Sequence, residues 1–148
     1  KAKFAYARYL IDLESYAEVY PTHTRSLRVD TSFFASNLDE SSVFQIRLAA
    51  FSHAPQDIAR IWNDREVLFD QVLQHVGRNH ITKPGQDSEW HKLGASIEIP
   101  PGTRSVVISL GAGMVDSNGK DSNHYLDDVR VSLVDSPRVI YADNLNKP

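Results

Sequence analysis

The chain of 148 residues contains no cysteine. This absence excludes a disulfide framework, a metal site built on thiolates and a cysteine nucleophile. Long apolar runs are also missing, because no stretch approaches the roughly 20 residues that a transmembrane helix requires. The chain opens on Lys1-Ala2-Lys3, with neither a methionine nor a signal peptide, which predicts a processed chain or an excised domain.

Charge of one sign is nowhere concentrated. Lys and Arg number 16 against 19 Asp and Glu, and the formal net charge is -3. Because phosphate binding requires a concentrated basic face, this distribution argues against nucleic acid as the main partner. Hydrophobic residues make up 41% and charged residues 24% of the chain, which is the balance of an ordinary globular domain with its own core.

The sequence motifs of several enzyme classes are absent as well. The six histidines form no His-Glu-x-x-His pattern and do not stand at zinc-site spacing. There is no Gly-x-Ser-x-Gly elbow, and Gly111-Ala112-Gly113 lacks the rest of a phosphate-binding glycine loop. The motifs therefore predict no catalytic residue.

The sequence does contain segments in which apolar and polar residues alternate, separated by proline and glycine. In Ser26–Ala35 the odd positions from Leu27 to Ala35 are apolar or Thr, and in Val43–Ser52 the even positions from Phe44 to Ala50 are apolar. Further strands are predicted in Phe4–Tyr20 (one long or two short), Trp90–Ile99, Ser105–Leu110 and His124–Val134. Six or more strands without βαβ alternation predict an all-β fold, a two-sheet antiparallel β-sandwich of the jelly-roll type.

The segment between residues 54 and 89 is ambiguous. Ile58–Ile61 predicts a short strand, and Asp64–Val76 fits either a strand, which we slightly favour, or a helix with Asp64 as N-cap. One short helix in the 58–76 region therefore stays open. Gly77–Glu89 and Gly111–Asn123 are predicted as polar loops. We expect one β-sandwich domain over residues 1–135, followed by a tail or linker over residues 136–148.

The last third of the chain resembles a known family. A strand that begins at Trp90, the turn Pro100-Pro101-Gly102, an apolar strand, a polar loop and a closing strand with Leu126-Asp127-Asp128-Val129 follow one another. This order is similar to the C-terminal half of jelly-roll carbohydrate-binding modules, which are galactose-binding-like β-sandwiches of polysaccharide-degrading enzymes. The similarity covers Ser26 to Val134. It implies a secreted or periplasmic, non-catalytic domain that binds a polysaccharide or oligosaccharide.

Asp127 is the first candidate metal ligand. If Val129 and Val131 face the core, then Asp127 has the same parity and points inward, where a carboxylate requires a partner. The resembled modules often hold a structural Ca²⁺ at this place, bound by an aspartate of the final strand and by oxygen atoms from near the N-terminus. Asp12 and Glu14 are the residues we substitute for that N-terminal partner. The alternative is that Asp127 accepts hydrogen bonds from backbone N–H groups of a loop.

Sugar binding requires flat aromatic faces for the C–H side of a pyranose and planar polar groups for its hydroxyls. The aromatic candidates are Trp62, Trp90 and Tyr125, with Tyr16 and Tyr20 behind them, and the polar candidates are Arg28, Asp30, Gln45 and Arg47. For an acidic polysaccharide, Arg28, Arg47 and Arg60 are the residues expected to pair with its carboxylates. The alternative is that the tryptophans belong to the core and that the polar residues form an ordinary solvated face.

Three functions follow in order of preference. The first is non-catalytic carbohydrate binding that targets an attached catalytic domain of the same parent chain to its polysaccharide, without nucleic acid or membrane as a partner. The second is a structural or protein-interaction sandwich without a sugar site, which burial of Trp62 and Trp90 in the core would favour. The third is a small jelly-roll polysaccharide lyase, which requires His124 and Tyr125 to converge with Gln45 and Arg47 in one groove.

Overall fold

The computed structural model describes residues 4–16, 25–35, 40–62, 64–84, 89–115 and 123–135. The strands in these ranges are β1 (Phe4–Asp12), β2 (Arg25–Ala35), β3 (Ser42–Phe51), β4 (Gln74–Ile81), β5 (His91–Ile99), β6 (Ser105–Met114) and β7 (His124–Asp135). The helices are a 3₁₀ turn at Glu14–Tyr16, α1 (Pro55–Ile61) and α2 (Arg65–Asp70). Several predictions lie outside the described residues: the tail 136–148, the candidate Tyr20 and the side chain of Tyr16, residues 85–88 of the loop Gly77–Glu89 and residues 116–122 of the loop Gly111–Asn123.

The strands form two antiparallel sheets, and the predicted all-β two-sheet sandwich is confirmed. One sheet has the strand order β1-β6-β3-β4 and the other has the order β5-β2-β7. The chain winds as three nested antiparallel pairs, β1 with β6, β2 with β5 and β3 with β4. This is the winding of a jelly roll, and β7 then adds to the free edge of β2.

The main core fills the space between the two sheets. The apolar positions predicted from alternation in β2 and β3 do face this core, and Leu27, Phe33, Phe44 and Leu48 are fully buried. The rings of Phe33 and Phe44 stack across the interface at a centroid distance of 4.7 Å. Because the side-chain period of a strand is two, the alternating positions of β2 and β3 are left on the outer faces of the sandwich.

Both α-helices pack on the outer face of the four-stranded sheet, near one end. Their side chains Ile58 and Leu68 are buried there with Ala49, Phe51 and Val107 of the sheet. The helices therefore cover part of this outer face. Among the described residues, none of the helices qualifies as a candidate membrane span.

The prediction of a strand at Ile58–Ile61 is wrong, because these residues belong to α1. Pro55 begins this helix, where its missing N–H is not needed, and Ile58 and Ile61 are three positions apart, on one helical face. The interval Asp64–Val76 divides into α2 and the start of β4, so the helix allowed in this region is confirmed and the slight preference for strand holds only from Gln74.

Two predicted loops begin too early. Gly77–Glu89 was expected to be a polar loop, but β4 continues to Ile81; as an edge strand it buries few side chains and lacks a clear apolar face. The loop predicted from Gly111 begins only after Met114, where β6 ends. Gly111 lies within this strand opposite Tyr6, and glycine leaves room for the Tyr6 ring, since a Cβ there would stand 2.7 Å from it.

Candidate functional site

The structure divides the six predicted ligand-binding residues between the two outer faces of the sandwich. Arg28, Trp90 and Tyr125 lie on the outer face of the three-stranded sheet, where they share the parity of the exposed positions of β2. Gln45 and Arg47 lie on the outer face of the four-stranded sheet, and Trp62 lies at the end of α1 beside that sheet. The candidates therefore form two groups on opposite sides of the molecule.

The three-stranded sheet carries three neighbouring aromatic side chains, which we call the aromatic platform: Phe34, Trp90 and Tyr125. The ring of Phe34 lies between the other two, 5.5 Å from Trp90 and 5.9 Å from Tyr125 between centroids. Trp90 is 50% exposed and Tyr125 is 51% exposed. Neither residue belongs to the core. Burial of Trp90, which would have favoured a purely structural function, is therefore not observed.

Strand pairing explains why these three rings meet. Phe34 is directly opposite Tyr125 in the β2–β7 ladder, and Trp90 immediately precedes β5, whose first residue His91 is opposite Phe33. Directly opposed side chains on one face of an antiparallel pair are close enough to touch. Sequence analysis missed Phe34, although its parity with Arg28 and Asp30 in β2 is a signal that it faces outward.

A polar region adjoins the aromatic platform along the same face. Arg28 donates two hydrogen bonds to Asp30, from Nε and from a terminal guanidinium nitrogen, both 2.7 Å long. These hydrogen bonds, together with the charge of Asp30, raise the pKa of Arg28 above its ordinary value. The ion pair lies over Gly94, where a Cβ would stand 2.5 Å from Asp30 Oδ1, so β5 presents bare backbone at this position.

The β7 side of this region contains a β-bulge. The register of β2 and β7 shifts between Asp30 and Ser32, and Asp128 has a positive φ of 52°. Arg130 donates a hydrogen bond of 2.8 Å from Nε to Asp128, and this bond raises the pKa of Arg130. Aspartate tolerates the left-handed region better than most residues, which suits it to this position.

The bulge also reverses the parity of the strand before it. The inward orientation expected for Asp127 is wrong, because Asp127 is opposite Ser32, an outward residue, and is exposed. Its Oδ1 accepts a hydrogen bond of 2.7 Å from the backbone N–H of Asp128. The alternative expected for this carboxylate, hydrogen bonds from backbone N–H groups of a loop, is met only in part, because the one such bond comes from the next residue at the bulge within β7.

The bulge and the ion pairs line a shallow groove of about 440 Å³, which we call the polar groove. Its lining residues are Arg28, Asp30, Thr31, Ser32, Lys92, Leu93, Gly94, Asp128 and Arg130. Both arginines are paired with an aspartate, and Lys92 and Asp127 lie on either side of Ser32 in the ladders. Positive and negative charges are therefore close to balanced across this face.

The second group of candidates forms a row of hydrogen bonds on the four-stranded sheet. Gln45 donates from Nε2 to Asn79 Oδ1 at 2.8 Å, and Arg47 donates from Nε to Gln45 Oε1 at 2.7 Å. Gln45 is only 7% exposed. A pocket of about 240 Å³ lies beside this row, against Phe69 of α2. The amide of Gln45 is thus already engaged on both sides by protein groups.

Trp62 and Arg60 have partners of their own on the helical side of the molecule. Trp62 packs against the helix-covered cluster, and the guanidinium of Arg8 lies 5.6 Å from the centroid of its ring. Arg60 forms an ion pair with Asp57 at 3.5 Å, one helical turn away. The three arginines expected to meet an acidic polysaccharide, Arg28, Arg47 and Arg60, are therefore dispersed and individually partnered.

The three predicted metal ligands are not brought together. Asp127 is opposite Ser32, which on its other side is opposite Lys92, near the start of β5. Glu14 forms an ion pair with Arg104, which follows the other end of β5, and the N–H of Leu13 donates to the carbonyl of Arg104. The length of β5 places the two groups roughly 20 Å apart. Asp12 accepts hydrogen bonds from the Glu14 N–H and the Ser15 hydroxyl. Across the described ranges no three His, Cys, Asp or Glu side chains form a metal-binding group, and the calcium expectation stays a prediction without a site.

The residues expected of a lyase do not converge either. His124 is opposite Ala35 and has the parity of the core, whereas its neighbour Tyr125 points outward. Gln45 and Arg47 lie on the outer face of the other sheet. The acid, the base and the pair meant to steady a uronate therefore do not share one groove.

Comparison of the chain with protein-family models and with curated proteins found no match.

Proposed function

We propose that this protein is a non-catalytic carbohydrate-binding domain, and that the outer face of its three-stranded sheet is the binding surface. The observation that carries the proposal is the aromatic platform, because two large rings about half exposed on a sheet face lie next to a polar groove. Aromatic faces suit the apolar side of a pyranose, and neighbouring polar groups suit its hydroxyls. Within the described ranges, α1 and α2 cover the opposite sheet and no helix covers this face.

The charge balance of the polar groove supports a neutral glycan as the ligand. The guanidinium of Arg28 is held by Asp30 through two hydrogen bonds, and that of Arg130 is held by Asp128. A uronate would have to compete with these carboxylates for each arginine. Sugar hydroxyls can instead donate to the outer lone pairs of the carboxylates and accept from the remaining guanidinium N–H groups.

The biological role proposed from the resemblance rests on the same face. A domain that holds an attached catalytic domain on its polysaccharide raises the effective substrate concentration without chemistry of its own. Localisation in a secreted or periplasmic protein belongs to this proposal, since polysaccharide substrates are met there.

The test is retention of the full chain by a panel of insoluble neutral and acidic polysaccharides. We expect retention by at least one neutral polymer, abolished by Trp90→Ala and kept by Trp62→Ala, the matched change on the other face. Arg28→Ala should weaken retention, while Arg47→Ala should not. A folded wild-type chain that no polysaccharide retains would contradict the proposal and favour the structural or protein-interaction alternative.

A further inference from the structure

Three histidines of the sandwich interior lie directly beneath the aromatic platform. His91 is opposite Phe33, His124 is opposite Ala35, and His80 is opposite Phe44, so each occupies a core-facing position. His91 follows Trp90 in the chain, and His124 precedes Tyr125. We call these residues the histidine cluster. Trp90 and Tyr125 of the platform are thus each next in sequence to a histidine of the cluster. Phe34 is next to Phe33, which is opposite His91.

The cluster is joined by ring contacts across both sheets. The rings of His80 and His91 are 4.8 Å apart between centroids, with an interplanar angle of 35°. His124 meets the ring of Phe44 edge-on at 5.7 Å, and its Nε2 is 3.0 Å from Ser42 Oγ. Phe44 in turn stacks on Phe33. This end of the sandwich is therefore packed from imidazole and phenyl rings.

His80 is badly placed to hold a second proton. Its Nε2 is buried and has no hydrogen-bond partner among the residues that the structure describes. A neutral imidazole can leave this nitrogen as a bare acceptor, but the imidazolium must place an N–H there with nothing to accept it. A buried charged donor without an acceptor is strongly unfavourable. The neighbouring ring of His91 adds repulsion when both are charged.

The surroundings of the cluster offer little compensation for positive charge. His80 is opposite Phe44, and its ring contacts His91. The other core-facing positions at this end of the sandwich are Ser42 of β3, Phe33 and Ala35 of β2, Leu93 of β5, Ala112 and Met114 of β6, and His124 and Leu126 of β7. The strand of His80 itself adds Arg78, a further cation. Among the described residues that flank these strands, the carboxylates are Glu40 before β3, whose Oε2 is buried, and Glu89 before β5, which is exposed. Lys92 and Asp127 face outward.

The pKa directions agree with this geometry. Burial, and then the charge of His91, lowers the pKa of His80. Burial also lowers the pKa of His124. A histidine whose pKa is lower in the folded than in the unfolded chain stabilises the fold fully only above the unfolded value of about 6.5. This stabilisation is lost as the pH falls from there through the folded pKa.

We propose that the histidine cluster makes the end of the sandwich that carries the aromatic platform acid-sensitive, so that a glycan bound at neutral pH is released in acid. This regulation rests on the proposed function of the platform. The acid sensitivity itself does not, because it is a property of the folded chain without ligand. Protonation loosens the Phe33–Phe44 packing between the sheets, and the platform residues lose the strands that hold them in register.

The first test measures urea unfolding of the full chain without ligand between pH 7.5 and 5. We expect the unfolding equilibrium constant to rise as the pH falls below about 6.5, by at most about tenfold per pH unit for each histidine that resists protonation. His80→Phe should reduce this slope, and His75→Phe, an exposed position on the outer face of the same strand, should not. His91→Phe serves in the same way if His80→Phe does not fold. An unchanged slope in the folded cluster variants would overturn the proposal.

The second test follows the platform. In a Trp62→Phe background Trp90 is the remaining tryptophan, so its emission reports on the platform alone. We expect its emission to shift as the pH falls from 7 to 5, with the midpoint moved in His80→Phe, and retention on the neutral polysaccharide to fall in parallel. Retention that is equal at pH 7 and pH 5 would overturn the release step. Absence of retention at every pH, with the unfolding slope present, would instead contradict the carbohydrate-binding proposal.

Discussion

The two outer faces of this sandwich start from the same strand geometry and end differently. On the four-stranded sheet, α1 and α2 bury Phe51, Ile58 and Leu68 in a second apolar cluster. On the three-stranded sheet, the rings of Trp90 and Tyr125 remain about half exposed beside charged residues. Aromatic residues thus support stability on one face and are available to a ligand on the other. Exposure of a ring, rather than its identity, distinguishes a candidate binding residue from a core residue.

The polar residues of the two faces also differ in their exposure to solvent. Gln45 is buried, and its amide donates to Asn79 and accepts from Arg47. Arg28 and Asp30 are paired with each other but about half exposed, with side-chain exposures of 50% and 44%. Sugar hydroxyls could reach the second pair without breaking a buried hydrogen bond, whereas the first row would have to be opened.

The largest expected effect separates the faces by stability. Phe51→Ala removes a fully buried ring from the helix-covered cluster and should lower the free energy of unfolding by about 3–5 kcal/mol. Phe34→Ala, in the aromatic platform, loses mainly its contacts with two rings and should cost about 1–3 kcal/mol, at about 0.5–1.5 kcal/mol for each ring pair. Urea unfolding of both variants measures the difference. Equal losses would mean that the platform is part of the structural core.

The next effect separates the faces by binding. Trp90→Ala should weaken affinity for the retained polysaccharide by about tenfold or more, as truncation of a central aromatic contact commonly does. Trp62→Ala should leave the affinity of the folded protein within about twofold, because that ring packs beside α1 on the other side. Affinity electrophoresis in gels containing the polymer measures both, and a reversal of the two results would move the site to the four-stranded sheet.

A smaller effect concerns the floor of the polar groove. The Cβ of Gly94→Ala would enter the space of Asp30 Oδ1 and the Arg28 guanidinium, so the ion pair must move. Both side chains are exposed and can shift, so stability should change little while affinity falls by roughly three- to tenfold. Gly77→Ala, where a Cβ meets nothing within 4 Å, is the matched control. Unchanged affinity in Gly94→Ala would exclude the groove from the site.

The smallest expected effect concerns salt. With Arg28 and Arg130 paired internally, binding to a neutral polymer should change by less than about twofold between 50 and 500 mM NaCl. Retention assays across this range measure it. A steep loss of affinity with salt would indicate an acidic polymer and would contradict the ligand class proposed for this face.

Much of the fold could be predicted from alternation alone, because β2 buries one strict face and the core-facing positions of β3 are all apolar. The other face of β3 is also largely buried, which alternation did not predict. The segment from Pro55 to Ile81 could not, for a physical reason. Short helices that cover the outside of a sheet and an edge strand such as β4 bury too few residues to leave a clear period. Ile58 and Ile61 fit a strand and a helix equally well until the surface they cover is known.

The candidate site could be predicted only in part. Trp90, Tyr125 and Arg28 were identifiable by residue type and parity, but their convergence depends on the pairing of β2 with both β5 and β7, which lie far apart in sequence. The orientation of Asp127 was missed because one bulged residue, Asp128, reverses every side chain before it. Residue types could therefore be predicted, whereas their grouping on one face required the sheet order.

The most direct test of the central claim is a two-dimensional NMR titration of the full chain with a soluble oligosaccharide of the retained polymer. The two indole N–H resonances, from Trp62 and Trp90, report on the two faces separately. We predict that the Trp90 indole and the amides of Phe34, Lys92 and Gly94 shift with ligand while the Trp62 indole does not. Shifts confined to Trp62, Gln45 and Asn79 would contradict the assignment of the binding surface to the three-stranded sheet.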